Sequence, residues 1–283
     1  MSLPNEVDLD PQEQELLREW RELFVEYYLD DIKRLQEHSS SVYGFEVDHA
    51  VLDRSESLRR EFHLDPTRVL KYGTRVLVEQ FEDQMVRMRP VIRVVGLSDN
   101  YLRRVEDLRM RDRNQLVCLD VKIQEVSNPY GWLWLTVYEC KDCSTQVHLE
   151  QRRGRERESP LYCEPCFDRM MERLEDEDSH FPMFPRQGRF RMLTEDCKYE
   201  DVQDISMTQV VYNDAHEIVN ASSKHPIIGT VTDDLVGEIE AGAYARINGI
   251  VRVQPVPDRN FSKDTRRVLS IDVLSVERLA LNG

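Results

Sequence analysis

The sequence predicts a multidomain α+β protein: an N-terminal helical bundle, then a small β-barrel interrupted by a four-cysteine module that resembles a zinc ribbon. Three observations carry this. Apolar residues recur near every 3.6 positions before Pro90, short β-branched runs replace that period after it, and two CxxC pairs stand between strand candidates. At 283 residues the chain is long enough for two or more small domains, and the expected division is 1–90 helical, 91–139 with 182–283 barrel, and 140–181 metal-binding insertion.

The first helix is expected from Pro11 to His38, with Leu16, Leu17, Trp20, Leu23, Phe24, Tyr27, Tyr28 and Leu35 on one face. Pro11 suits its first turn, where no amide donor is needed. This aromatic stripe reads as core. A second helix is expected over Arg54 to Phe62 and a third from Pro66 to about Met88, with Asp65 as N-cap and Pro90 as the stop.

Strand candidates then follow: VIRVVGL (91–97), LVCLDVKI (116–123), WLWLTVYE (132–139), ISMTQVVY (205–212), AYARINGIVRVQP (243–255) and RRVLSIDVLSVERL (266–279). Five or so short strands with Gly and Pro punctuation point to a closed barrel, of which the OB-fold is the usual case. The acidic run Glu172 to Asp178 reads as a solvated linker or helix end.

Cys140-Lys-Asp-Cys143 and Cys163-Glu-Pro-Cys166 are two pairs with the spacing that lets four thiolates converge on one ion. A shell closed by four cysteines leaves no open position for water, so the expected Zn²⁺ is structural rather than catalytic. A disulfide pair is the poorer reading in a reducing compartment, and a thioredoxin-like site needs one CxxC in a βαβ setting. Cys118 and Cys197 are expected to be packed thiols, and His148 a surface residue.

Charge sets a constraint. With 53 acidic against 38 basic residues the chain carries −15, so any polyanion binding must rest on locally gathered cations. Val251 to Val268 reads as a β-hairpin turning near Asp258 to Asp264, with Arg252, Arg259, Lys263, Arg266 and Arg267 along it. Arg189 and Arg191 alternate with Phe190 and are expected on one barrel face, while Arg152, Arg153, Arg155 and Arg157 cluster between the cysteine pairs. No apolar stretch approaches the roughly 18 residues of a membrane span, and the first residues are acidic where a signal peptide is basic. A cytoplasmic, nucleoid-associated protein is the expectation, with no membrane partner.

The order of parts, together with several stretches, resembles the N-terminal region of the archaeal minichromosome-maintenance (MCM) replicative helicases. RVVGLSDNYLRRVEDLRMRDRNQLVCLDVKIQEVSNP is similar to the family's strand, helix ending in an Arg-Leu-Arg-like element, and first barrel strand. YECKDC and LYCEPC match its zinc pairs. RFRMLTEDCKYEDVQDISMTQV resembles its return strand with two glutamines, here Gln203 and Gln209, and HPIIGTVTDDLVGEIEAGAYARINGIVRVQP is similar to its DDLV block. Two departures stand out: Gln124 lies where the family usually carries Arg, and NDAHEIVNASSKH (213–225) replaces a more Gly/Pro-rich loop.

The resemblance implies a homo-hexamer or double hexamer encircling single- or double-stranded DNA irrespective of sequence, with hairpin cations on the backbone, Arg259 and Lys263 first. Arg189 and Arg191 would be secondary contacts. The sequence contains no G-x-x-x-x-G-K-[ST] loop, so no ATP site is expected in this chain, although the parent activity would be an ATP-dependent DNA helicase. A stand-alone, monomeric zinc-ribbon OB protein for single-stranded nucleic acid is the competing reading. No HExxH, deaminase signature or nucleophile-base motif supports an enzyme.

Overall fold

The computed structural model describes residues 10–37, 44–79, 90–151, 157–176, 188–214, 217–221, 226–256 and 265–279. Its packing falls into two units, Gly131–Glu200 and Ser2–Tyr130 with Asp201–Gly283.

The larger unit begins with α1 (Pro11–Tyr27). Asp10 caps it: its carboxylate accepts the Glu13 N–H at 2.7 Å, and the Glu13 carboxylate accepts the Asp10 N–H at 3.4 Å. The stripe Leu16, Leu17, Trp20, Leu23 and Phe24 is buried as core. The expected single helix to His38 instead breaks at Tyr28 (φ −128°, ψ 11°) and restarts as α2 (Leu29–Glu37). Tyr28 is held aside: its ring meets Phe45 at 5.6 Å and its hydroxyl accepts the Asp48 N–H at 2.9 Å, while Asp30 and Asp31 favour the new N-terminus.

Next come β1 (Gly44–Asp48) and α3 (His49–Leu52), neither of which the sequence announced, then α4 (Glu56–Leu64). That helix starts after Arg54 because the Ser55 hydroxyl accepts the Leu58 N–H and makes Ser55 the cap. For α5 (Pro66–Glu79), Asp65 does cap, its carboxylate accepting the Arg68 N–H at 3.1 Å; the expected extension to Met88 lies outside the described residues. β2 (Val91–Val95) pairs in parallel with β1, so VIRVVGL is a strand but not a barrel strand.

The remaining strands in chain order are β3 (Leu116–Val126), β4 (Tyr130–Cys140), β5 (Gln146–Glu150), β6 (Phe190–Met192), β7 (Lys198–Tyr212), β8 (Ile218–Ala221), β9 (Ile227–Thr232), β10 (Tyr244–Pro255) and β11 (Arg267–Arg278). Five of them close a ring: β3 pairs with β10, β10 with β11, β11 with β9, β9 with β7, and β7 back with β3. All pairs are antiparallel except β9 with β11. This is the closed OB-type barrel that the sequence predicts. Its interior packs Leu119, Val121, Ile123, Ile205, Met207, Val231, Ile247 and Ile271. The ladder between β10 and β11 bulges at Asn248/Gly249, where a Cβ on Gly249 would stand 2.6 Å from the Asp272 carbonyl oxygen.

The two glutamines of the return strand bridge backbone groups. Gln209 accepts the Val105 N–H at 2.7 Å and donates to Asp120 O, and Gln203 accepts the Gly237 N–H at 3.0 Å and donates to Ser127 O at 2.8 Å. Arg93 of β2, almost wholly buried, donates to Asp234 in the 3-10 turn Asp233–Leu235 of the DDLV block and to Thr232 O. These contacts fasten the helical layer's two-stranded sheet to the barrel.

In the smaller unit, β4 pairs with β5 and β6, and α6 (Glu164–Asp176) begins within the second cysteine pair. The acidic run therefore begins as a helix end. No helix among the described residues is long and apolar enough to cross a membrane.

Candidate metal centre and nucleic-acid interface

The cysteine pairs come together from two local structures. Cys140 ends β4 and Cys143 lies in the tight turn beyond it, closed by the Ser144 N–H donating to Cys140 O at 2.8 Å; Ser144 takes a left-handed φ of 60° to make the bend. Cys163 directly precedes α6 and Cys166 sits in its first turn, where unpaired backbone amides favour thiolates. The four sulfurs lie within 4.8 Å of one another, with Cys140 Sγ and Cys166 Sγ at 3.8 Å and Cys143 Sγ and Cys163 Sγ at 3.4 Å. A tetrahedral Zn²⁺ with bonds of about 2.3 Å sets its sulfurs about 3.8 Å apart, so the set fits such an ion with shifts of about an ångström at most.

The electrostatics point the same way. The Thr145 hydroxyl and amide hold the Cys143 thiol down to about 6, whereas burial pushes Cys163 up to about 12, and the neighbouring Cys143 raises Cys166. Four thiolates cannot share this volume without a cation, and a bound divalent ion would deprotonate all four. Arg169 adds one donor, its Nη2 lying 3.4 Å from Cys166 Sγ. A centre of this kind organises the fold around it and offers no site for turnover.

The other thiols pack as expected: Cys118 is fully buried, its thiol pushed up to about 12 by burial, and Cys197 Sγ lies 3.5 Å from Val137 N and donates to Leu193 O at 3.3 Å. His148 sits in β5 opposite Val137, outside the sulfur cluster and half-buried rather than exposed.

The expected cations divide. Arg252 is engaged internally: its guanidinium donates to Asp272 at 2.6 Å, Thr67 at 2.8 Å and Asn114 at 2.7 Å, joining β10, β11 and the start of α5. Arg189 and Arg191 are exposed on one face as predicted, but β6 pairs with β4 in the cysteine-bearing unit, so that face is not a barrel face. Each makes a local ion pair, Arg189 with Asp142 and Arg191 with Glu139 at 2.5 Å. The hairpin body exists, with Pro255 opposite Arg267 and the Val256 N–H donating to Arg266 O at 3.4 Å, and Arg266 and Arg267 are exposed there. Arg259 and Lys263 lie outside the described residues, as do Arg152, Arg153 and Arg155; Arg157 reaches Met192 Sδ at 3.6 Å. Gln124 donates to Thr208 at 2.7 Å across the β3–β7 seam.

One cationic segment was missed. Residues 99–112, in the stretch where the resemblance implies a helix, form three short 3-10 turns with exposed arginines in and beside them. Its signal in the sequence is arginine density, with Arg103, Arg104, Arg109, Arg111 and Arg113 within eleven residues.

The family model described as the MCM OB domain matches residues 104–255. Among solved structures, the crystal structure of the N-terminal domain of an archaeal MCM is similar in fold, with a TM-score of 0.74, 19% identity, and coverage of 95% of this chain and 100% of that one. No curated protein matches the sequence.

Proposed function

The chain belongs to the MCM family, and we propose that it serves as the DNA-gripping N-terminal region of a replicative helicase. What carries the reading is the coincidence of the matched interval, 104–255, with the barrel segment from the approach to β3 through β10. In this reading the protomers assemble as a homo-hexamer or double hexamer around single- or double-stranded DNA. Zn²⁺ on Cys140, Cys143, Cys163 and Cys166 stabilises the smaller unit. The hairpin at 251–268 brings Arg259, Lys263, Arg266 and Arg267 to the phosphates.

A ring multiplies a few cations from each subunit into a collar, so a protomer of net −15 can still hold a polyanion locally. Contacts of this kind reach phosphates and not base edges, so binding is indifferent to sequence. In this reading the chain supplies grip and geometry, and the parent activity is an ATP-dependent DNA helicase.

Light scattering after size exclusion, with and without DNA, tests assembly: a mass that stays monomeric at high protein concentration favours the stand-alone single-strand binder. Arg259→Ala with Lys263→Ala should weaken all DNA sequences alike and reduce the salt slope by about one per lost phosphate contact. An unchanged slope rejects the hairpin assignment.

A further inference from the structure

Ahead of β3 the chain winds through three 3-10 turns, Asp99–Tyr101, Val105–Asp107 and Met110–Asp112. In a 3-10 turn the side chains at i and i+3 face the same way. Val105 and Leu108 stand at that spacing across the second turn and are buried against the barrel interior, while Leu102, which ends the first turn, packs against the helical core. Two backbone anchors hold the segment flat: the Val105 N–H donates to Gln209 at 2.7 Å and the Arg103 N–H to Cys118 O at 2.9 Å.

The arginines of the segment face solvent. Arg103, Arg104, Arg109, Arg111 and Arg113 are all exposed, five arginines against the acidic Glu106, Asp107 and Asp112, in a chain that is otherwise strongly acidic. Arg103 and Arg109 fold onto backbone carbonyls, Arg103 onto Asn100 O and Leu102 O at 3.0 Å, Arg109 onto Glu106 O at 2.6 Å and Leu108 O at 2.8 Å. Those bonds fix the guanidinium without neutralising it. Arg104 pairs with Glu106, and Arg111 with Asp112 at 3.9 Å, yet the two arginine side chains are 64% and 85% exposed. Surface pairs of that kind are worth about 0–1 kcal/mol, so an arriving phosphate readily displaces them.

We infer that the strap from Arg103 to Arg113 is a second contact surface for the DNA backbone, with Arg104, Arg111 and Arg113 as its mobile forks. The inference rests on the DNA-binding reading and adds a surface to it. The Arg103 N–H donates to Cys118 O, four residues along from Asn114, so the strap arches over a length of about 13 Å at 3.3 Å per strand residue; arginines gathered over that length reach more than one phosphate and suit a polyanion rather than a single small anion. A protein interface of this size would need an apolar centre, and Met110 is the one large exposed apolar side chain among these residues. Guanidinium forks bind phosphate bidentately, and the contact carries no base information.

The test is the full chain with Arg104→Gln, Arg111→Gln and Arg113→Gln together, titrated against a labelled duplex of mixed sequence over a range of salt. The slope of log affinity against log salt should fall by about one per lost contact, two to three in all, with far-UV circular dichroism and melting unchanged. Lysine at the same three positions should restore most of the slope. An unchanged slope overturns the inference, as does a change in assembly mass with the slope intact, which would assign the strap to a neighbouring copy. If the parent chain binds duplex and only hairpin substitutions alter its slope, the strap fails and the function stands; if the parent binds no DNA, both fall.

Discussion

Asp234→Ala is the sharpest test of how the helical layer is joined to the barrel. The Arg93 guanidinium is 4% exposed and donates to Asp234 Oδ1 from Nε at 3.0 Å and from Nη2 at 2.5 Å, with Thr232 O at 2.7 Å as its further acceptor. Removing the carboxylate leaves a buried cation holding little more than that carbonyl. Breaking such a pair costs about 3–5 kcal/mol when both partners are buried. The Asp234 side chain is 26% exposed, so water enters part of the gap and the expected loss is about 2–3 kcal/mol. With a urea slope of about 1–3 kcal/mol per molar, the midpoint should drop by roughly 1 M. Trp20, fully buried in the same core as Val94, reports the transition once Trp132→Phe and Trp134→Phe silence the other tryptophans. Arg93→Met with Asp234→Ala removes both charges and should recover most of the stability. A midpoint that does not move for Asp234→Ala, or a double variant as weak as the single, refutes the reasoning.

Two further outcomes follow from the buried groups and the metal centre. Cys166→Ser should lower bound zinc from one ion per chain to near zero by atomic absorption and unfold the smaller unit, since structural zinc contributes about 10–16 kcal/mol in finger peptides; retained stoichiometry rejects the four-cysteine set. His49 is buried beside Phe62 and Tyr101, and burial lowers its pKa below the ordinary value, against the opposing pull of Asp53 and Asp48. A depressed histidine pKa means the fold prefers the neutral ring, so its contribution is complete above about 6.5 and is lost as pH falls below that value. Urea midpoints read from Trp20 should therefore decline from pH 7 toward 5.5, and His49→Gln should flatten that decline; an equal decline in both proteins assigns it to other groups.

Helix periodicity and cysteine spacing were legible because each is a local code. Leu16, Leu17, Trp20, Leu23 and Phe24 became one buried face, and the two CxxC pairs met within metal-binding distance. What misled were features decided by partners distant in sequence. Arg252 looks like a free hairpin cation until Asp272, Thr67 and Asn114 are brought to it by the fold. Tyr28 continues the helical period perfectly well, and only Phe45 and the Asp48 amide draw it out of line. Three elements, β1, α3 and β5, are too short for their period to rise above the surrounding sequence. The strap's arginines are plain in the sequence, but the resemblance implies a helix there, whereas Leu102 and Leu108 end their 3-10 turns in extended backbone.

The stretches that carry the family resemblance share a physical property. Gln203 and Gln209 satisfy backbone groups at the barrel's seams, Asp234 of the DDLV block receives the buried Arg93, and Arg246 ahead of the final Gly-Ile donates to the buried Asp120 at 2.8 Å. Apolar core positions tolerate exchange when volume and pattern are kept, because any close-packed hydrocarbon fills the space. A buried polar group has no such freedom: it needs one partner of opposite character at one position, or it forfeits its hydration for nothing. The polar residues of these stretches accordingly fix how strands, turns and connecting loops meet. The proposed DNA contacts are surface cations instead, which act on phosphates through their charge and need no single partner position.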